Sequence, residues 1–428
     1  MSTVARCTRT ALGVVLALTV IACASPSRVL VLWHSLDNKR AQVLEALIDR
    51  WNAVNPHGLI IVPERRSPMQ QHQAMLEGAV GGRLPDLALV EPDQASLYVQ
   101  RGALTNLDGL VNNSDPTLGW SAEDRQDLFP FVLQAGRDAR GRLFGIPQGG
   151  RAQAVLINQN LLRANDLTSL PSDLDALGKA CARLASVNLG TACFAVASDS
   201  MTFEAWALAH GAQLYSSDGV QVGAAPVSTM LQFLLEAVRT GQAYRTLSQA
   251  RAVSEFASGR VLFVLLWNTD LDAAWREIQS QAKFDLATAL LPSQQGQAQA
   301  TPSQAPLWVI PAKPRERVEA AWRAVRWLLE TEQTTLYAEG TGELPARTSA
   351  LERLQGEPNT LRALRHALFQ QLGPAARPEP MVSGWSCVRD QLAAALRRAL
   401  SEQENIPDVL LDTQVSAQRL LFEDCTGE

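Results

Sequence analysis

The sequence predicts a mixed α/β protein, α/β in front and helix-rich behind, folded as two lobes joined by chain crossings. Three observations carry this. Strand-length apolar runs alternate with amphipathic helix patterns from residue 29 to 100. Polar and Gly/Pro-rich breaks fall between complete α/β blocks further on. The chain has 428 residues, of which 46% are apolar, and so can build two cores.

The run VLVLW at 29–33 reads as a buried strand. Residues 39–54 read as a helix with Val43, Leu44, Leu47, Ile48 and Trp51 on one face, and Asn55-Pro56 ends it. A second strand at 59–62 and a helix at 70–80, stopped by Gly81-Gly82, follow. A third strand at 87–90 leads to a helix at 94–100. Strands alternating with helices form parallel β-α-β units with right-handed crossovers. The pattern then changes. Residues 128–150 are irregular, and 155–157 is a short strand. Ser172-Asp173-Leu174-Asp175 resembles a capping box opening a helix that turns Leu174, Leu177, Cys181 and Leu184 inward. A strand at 193–196 is followed by an amphipathic helix carrying Val227, Met230, Leu231, Leu234, Leu235 and Val238. VLFVLLW at 261–267 is a strand buried on both faces. QQGQAQATPSQ at 294–304 is a low-complexity polar connector. A strand at 307–310, a helix at 317–329 with Trp322 and Trp327, and a mostly helical remainder from 351 complete the chain.

The first residues carry a leader. Arg6 and Arg9 precede the uncharged run ALGVVLALTVIA at 11–22, which is too short for a membrane-spanning helix. Val20-Ile21-Ala22-Cys23 resembles a bacterial lipobox. The expectation is a signal peptide over 1–22, lipidation at Cys23 and a tether over 23–27; an ordinary cleaved signal is the alternative. Loss of Arg6 and Arg9 makes the net charge of −5 more negative still, which argues against nucleic acid as a partner. Of the six cysteines, Cys181, Cys193, Cys387 and Cys425 remain. An even remainder in an oxidising compartment suggests two disulfides. The most local pairing is Cys181–Cys193 with Cys387–Cys425, one of three connectivities that sequence allows.

Enzyme signatures are missing: there is no GxSxG, HExxH, GxxxxGK[ST] or GxGxxG. The five histidines (His34, His57, His72, His210, His366) show no metal-ligand spacing, so no metal and no cofactor is expected. Glu91 and Asp93 could act as general acid and base or accept hydrogen bonds from ligand hydroxyls; without a nucleophile constellation, binding is favoured. Ten tryptophans stand beside four tyrosines. Flat aromatic faces suit sugar rings. Trp33, Trp267 and Trp308 lie at strand ends, where open α/β sheets hold ligands, and Trp385 follows Ser383-Gly384 in a loop.

Five segments together carry a family likeness. They are Val31-Leu32-Trp33-His34-Ser35, Trp51-Asn52-Ala53-Val54-Asn55-Pro56, Leu84-Pro85-Asp86-Leu87, Phe256-Ala257-Ser258-Gly259-Arg260, and Gly340-Thr341-Gly342-Glu343-Leu344-Pro345-Ala346-Arg347. In order and spacing the chain resembles, from about 28 to 400, the carbohydrate-type (family 1) extracellular solute-binding proteins of ABC importers. These include maltose- and glycerol-3-phosphate-binding proteins. The resemblance implies a periplasmic-binding-protein-like (type II) fold: two α/β lobes, a multi-strand hinge and a ligand cleft between the lobes that closes on the solute. Lobe 1 is then 26–140 with 306–342, and lobe 2 is 141–305 with 343–428.

Carried over residue by residue, the cleft would include His34, Ser35, Asp37, Glu91, Asp93, Arg151, Trp267, Asn268, Asp270, Glu343 and Trp385. Two departures stand out. Glu343 replaces the tyrosine of the family's T-G-Y-L-P turn. Ser198-Asp199-Ser200-Met201-Thr202-Phe203 stands where glycerol-phosphate binders have tryptophans, so that Phe203 would supply one stacking face. An acidic cleft only partly offset by Arg151 disfavours an anion, because an unpaired buried charge costs several kcal/mol. The expected ligand is therefore a sugar, glucosyl-polyol or polyol. The implied protein is a monomeric, exported periplasmic or cell-surface lipoprotein, held to the membrane by its lipid alone. It would serve ABC permease and ATPase subunits and would not be an enzyme. A secreted glycoside hydrolase-like enzyme using a carboxylate pair, and a non-transport scaffold or sensor, are the alternatives.

Overall fold

The computed structural model describes residues 28–187, 190–421 and 425. The leader, Cys23 and the tether lie outside the described residues. In chain order the strands are β1 (Val29–His34), β2 (Ile60–Arg65), β3 (Leu87–Val90), β4 (Gly145–Pro147), β5 (Gly149–Asn158), β6 (Ala192–Ala197), β7 (Tyr215–Ser216), β8 (Gly219–Val220), β9 (Ala243–Thr246), β10 (Val261–Trp267), β11 (Leu286–Ala289), β12 (Thr301–Gln304), β13 (Leu307–Val309), β14 (Leu344–Pro345) and β15 (Ala376–Pro378). They build two large sheets and a small hairpin. The first sheet has the order β2-β1-β3-β13-β4. Its β1–β2 and β1–β3 pairs are parallel, whereas β13 runs antiparallel to both neighbours. The second has the order β15-β12-β5-β10-β6-β9, with β11 and β14 also paired to β5.

Three crossings join the sheets. The chain passes from β4 to β5 at Gln148, from β12 to β13 through Ala305 and Pro306, and from the helix Thr331–Thr341 to β14 through Gly342 and Glu343. Gly342 takes φ 81°, a left-handed turn that disfavours side chains. The first crossing therefore lies later than 140/141, because Gly145–Pro147 pairs with β13 in the first sheet.

Strand alternation divides the interior. On β5 and β10, Ala154, Leu156, Val264 and Leu266 face one core. Val155, Ile157, Phe263 and Leu265 face another. The first core runs on through the hinge to Leu32, Trp51, Trp308 and Trp322. It also takes up Leu368 and Phe369 of the helix Leu361–Ala375, so this helix packs where the two sheets meet. The second core holds Phe194, Trp206 and Leu392. Cys181 is bonded to Cys193, tying the helix Leu174–Val187 to β6, and Cys387 to Cys425, tying the helix Trp385–Ala399 to the C-terminal end.

Several family-like segments act as staples. Asn52 exchanges two hydrogen bonds with the Ile61 backbone, at 2.9 and 2.8 Å, and so fixes the helix Asn38–Val54 against β2. Buried Asp86 accepts from Val31 N–H at 2.9 Å and from the Arg317 guanidinium. Arg347 donates to Leu329 C=O and to Asp127 and Asp124 at 3.1 and 3.2 Å, closing the turn after β14.

Three sequence expectations change. The short strand at 155–157 is the end of ten-residue β5, whose start, Gly149-Gly150-Arg151, lacks an apolar run because it crosses the hinge. The end of the polar connector is the wholly buried strand β12, whose Thr301 hydroxyl donates to Gln153 C=O at 2.6 Å. The cap of the helix Leu174–Val187 is Asp173, which accepts from Ala176 N–H at 2.8 Å, rather than Ser172.

Candidate functional site

The ends of β1 and β3 and the crossing strands converge on one acidic region. Glu91 follows β3 and precedes the helix Pro92–Gln100 without capping it by a side-chain bond. Its side chain is open to solvent, yet protein mass surrounds it, the condition of a residue on a cleft wall. That burial, with Asp93 and Glu379 nearby, raises its pKa to about 7 against the pull of Arg151 and Arg389. Asp93, two residues on in the first turn of that helix, accepts from Gln94 N–H at 2.8 Å.

Arg151, near the start of β5, is the central cation. Its guanidinium lies 4.4 Å from the centroid of the Trp267 ring at the end of β10. It also donates to Gln304 Oε1 on β12. Gln304 in turn donates to Glu379, and Arg389 donates to both Glu379 oxygens at 2.9 and 3.1 Å. Burial raises the Glu379 carboxyl, and Arg389 opposes the rise. A hydrogen-bonded chain thus runs from Arg389 of the helix Trp385–Ala399 through Glu379, just past β15, and Gln304 of β12 to Arg151 of β5, whose guanidinium lies over the Trp267 ring.

Glu343 closes the other side. It is 3% exposed and sits 3.6 Å from Arg40 in the first turn of the helix Asn38–Val54. Burial raises its pKa, and Arg40 and Arg151 restrain the rise. Asp37 caps that helix, accepting from Arg40 N–H at 3.0 Å and from its guanidinium at 2.7 Å. Asp270, accessible just past Trp267, is raised by burial and restrained by Arg151 and Lys39. Ser35 is half-buried between β1 and Asp37. Thus Ser35, Asp37, Glu91, Asp93, Arg151, Trp267, Asp270 and Glu343 come together around the crossings.

Four other expected residues do not. His34 is wholly buried, with its pKa lowered to about 4 by burial and the Arg65 charge, and belongs to the wall behind the site. Asn268 is 1% exposed and both ends of its amide are used. It accepts from Ala152 N–H at 2.7 Å and donates to Gly342 C=O at 3.0 Å, pinning two crossings together. Phe203 lies in the second core, because the helix Ser200–Ala209 is buried nearly all round, and offers no face to a ligand. Trp385 also belongs to that core, edge-on to Tyr215 at 6.0 Å. Of the other strand-end tryptophans, Trp308 is wholly buried and donates to Gln148 at 3.2 Å, and Trp33 is covered by the Arg66 guanidinium at 3.8 Å.

Sequence reasoning missed Arg40, Gln304, Glu379 and Arg389. Arg40 was findable as the first-turn partner of the cap Asp37. Gln304 is brought in by β12 and Glu379 by the end of β15, whose polar sequences give no strand signal, and Arg389 by the helix Trp385–Ala399 that follows. Among the site residues discussed, Asp37, Glu91, Asp93, Asp270, Glu343 and Glu379 outnumber Lys39, Arg40, Arg151 and Arg389, so the region is acidic. Among the described residues no group of His, Cys, Asp or Glu is placed to hold a metal.

The family described as bacterial extracellular solute-binding protein matches residues 55–361. The chain belongs to this family. This solute-binding protein is therefore an exported binding protein and not an enzyme, which removes the hydrolase alternative. No curated protein sequence matches it. Solved structures share its fold. The sugar-binding protein MalE from Xanthomonas citri has a TM-score of 0.77 at 18% identity, covering 92% of this chain and 97% of that one. The cyclic α-maltosyl-1,6-maltose binding protein from Arthrobacter globiformis gives 0.73 at 18%, covering 92% and 98%. UgpB from Mycobacterium tuberculosis, in complex with glycerophosphocholine, gives 0.68 at 19%, covering 91% and 98%. The solute-binding protein thus has the type II periplasmic sugar-binding fold.

Proposed function

We propose that this solute-binding protein captures a neutral sugar, glycoside or polyol between its lobes and delivers it to the permease of an ABC importer, anchored through lipid on Cys23. The lobes divide at the three crossings, with the first boundary moved from 140/141 to Gln148. The observation that carries the reading is the meeting of Trp267 with Arg151, Glu91, Asp93 and Glu343 where the crossings converge. An aromatic face supplies stacking, and carboxylates and a guanidinium accept from and donate to hydroxyls. The surplus of carboxylates opposes a phosphate. Two of the fold relatives are described as sugar-binding and maltosyl-maltose-binding, which agrees with this ligand class.

The test is a thermal-shift screen of the mature domain from Ala24 against sugars, glucosyl-polyols, polyols, glycerol phosphates, amino acids and polyamines. A ligand at 100 times its dissociation constant adds about 2.7 kcal/mol, a shift of a few degrees at this size. Stabilisation by one neutral saccharide or glycoside is expected. A shift only with phosphate esters contradicts the charge argument, and no shift with any compound favours the scaffold alternative.

A further inference from the structure

Arg28, the first described residue, stands just ahead of β1 and only a short way along the chain from Cys23. At no more than about 3.6 Å per residue, a lipid on Cys23 holds Arg28 within about 18 Å of the headgroups, in any conformation of the tether. The start of β1 is thus the part of the body nearest the anchor. Parallel pairing sets the start of β2 beside it, with Val29 opposite Ile60. The helices Asn38–Val54 and Pro68–Gly81 finish at this same end, because each returns from one parallel strand to the start of the next. Residues 101–103 join them there, where Ala312 N–H donates to Ala103 C=O at 2.8 Å.

This end is basic. Arg28, Arg83, Arg101 and Arg315 are exposed. Lys313 donates to Leu84 C=O at 2.7 Å, and Arg317 donates to Val29 C=O at 2.7 Å and to Asp86 at 3.1 Å. Alongside them Glu319 is paired with Arg315 at 2.7 Å, and Glu77 and Glu316 are exposed. Six cations therefore stand against Asp86, Glu77, Glu316 and Glu319, in a chain whose net charge is −5. Three apolar side chains share the same end: Val54, last in its helix, is 61% exposed, Ile60, first in β2, 43%, and Val80, in the last turn of its helix, 89%. Cations interspersed with exposed apolar groups suit a lipid surface, where phosphates take the charges and the apolar groups enter the headgroup boundary. The tether brings such a surface to this end and to no other.

We propose that the start of the first sheet is a membrane-contacting face, resting on anionic phospholipid headgroups. Ser35 and Glu91 lie at the far ends of β1 and β3, about 20 Å away at 3.3 Å per residue, so the body standing on this face holds its cleft clear of the headgroups. This rests on the lipid anchor at Cys23 proposed above.

The test uses the full chain, processed and purified from membranes, in vesicles of phosphatidylcholine with and without phosphatidylglycerol. A fluorophore is placed at Val80→Cys or, on the loop before the helix Ile406–Leu420, at Gln403→Cys, and energy transfer to a headgroup-labelled lipid is read. In phosphatidylglycerol vesicles, transfer from position 80 is expected to exceed that from 403 by about threefold or more, and to fall toward the phosphatidylcholine value at high salt. Arg83→Glu with Arg315→Glu is expected to abolish the gain from phosphatidylglycerol while leaving the melting temperature and saccharide affinity unchanged. Equal transfer from both positions in a lipidated chain, or an excess indifferent to salt, lipid charge and the double variant, overturns this inference and leaves the anchor standing. A change at position 80 that follows protein concentration rather than lipid marks a second copy as the occupant and also overturns it. An unmodified Cys23 in mass spectrometry overturns the anchor and this inference together.

Discussion

Glu91 and His34 show how far side-chain roles depend on surroundings that the sequence does not state. Glu91 has its pKa raised from 4.5 to about 7 by burial and like charge. The folded state therefore holds its proton more tightly than the unfolded state does. The stability this gives is present below pH 4.5 and is lost as pH rises to about 7. Relative to wild type, Glu91→Gln is expected to remove that decline, so that the stability difference between the two grows from pH 4.5 to 7 in urea titrations. A difference that is flat with pH contradicts the raised carboxyl. His34, lowered to about 4, acts the other way, with stability lost as pH falls from 6.5 to 4. The family-like segments were legible, yet many of their residues hold the fold rather than the ligand. Asn52 and Asp86 bind backbone, and Arg347 braces a turn. Ligand-facing candidates such as Glu379 and Arg389 carry no pattern of their own. Only folding brings Glu379 to Gln304.

At the scale of elements, legibility follows burial. Strand β10 was plain because both of its faces are covered, which gives a continuous apolar run. The beginnings of β5 and all of β12 were not, since crossing strands carry polar side chains that reach one another and the site. Asn268 is the keystone of this region. Asn268→Ala would leave Ala152 N–H and Gly342 C=O without their partner. At about 1–3 kcal/mol for each buried group left unsatisfied, a loss of about 2–6 kcal/mol is expected in chemical denaturation. A loss below about 0.5 kcal/mol shows that the crossings do not depend on it. Glu343→Ala removes one of the two carboxylate partners of Arg40, leaving Asp37. With Arg40 partly open to solvent, a loss of about 1–2 kcal/mol is expected in the same assay, within the range for incompletely buried pairs.

Across the whole molecule, the lobes touch at a second place. The segment after β15 sends Met381, 3% exposed, into an apolar cluster containing Trp33, Met75, Val90 and Tyr98 of the first lobe. Nearby, Gln100 donates to Ser383 at 3.3 Å. A contact that breaks when the lobes part favours the closed arrangement, and the expectation is that Met381 acts in this way. Met381→Ala is expected to weaken ligand binding about three- to tenfold and to enlarge the liganded radius of gyration in small-angle scattering. Unchanged affinity and radius contradict a latch. The two-lobe organisation was legible from alternating elements and polar breaks, but the Met381 contact was not, because a lone methionine in a loop has no sequence signature. The central claim is that solute is held where Trp267 and Arg151 stack. Titration of the saccharide found in the screen into wild type and Trp267→Ala tests it most directly. The account predicts that affinity falls by about tenfold or more, since an aromatic anchor carries a large share of binding. Equal affinity in the two proteins would place the ligand elsewhere and contradict it.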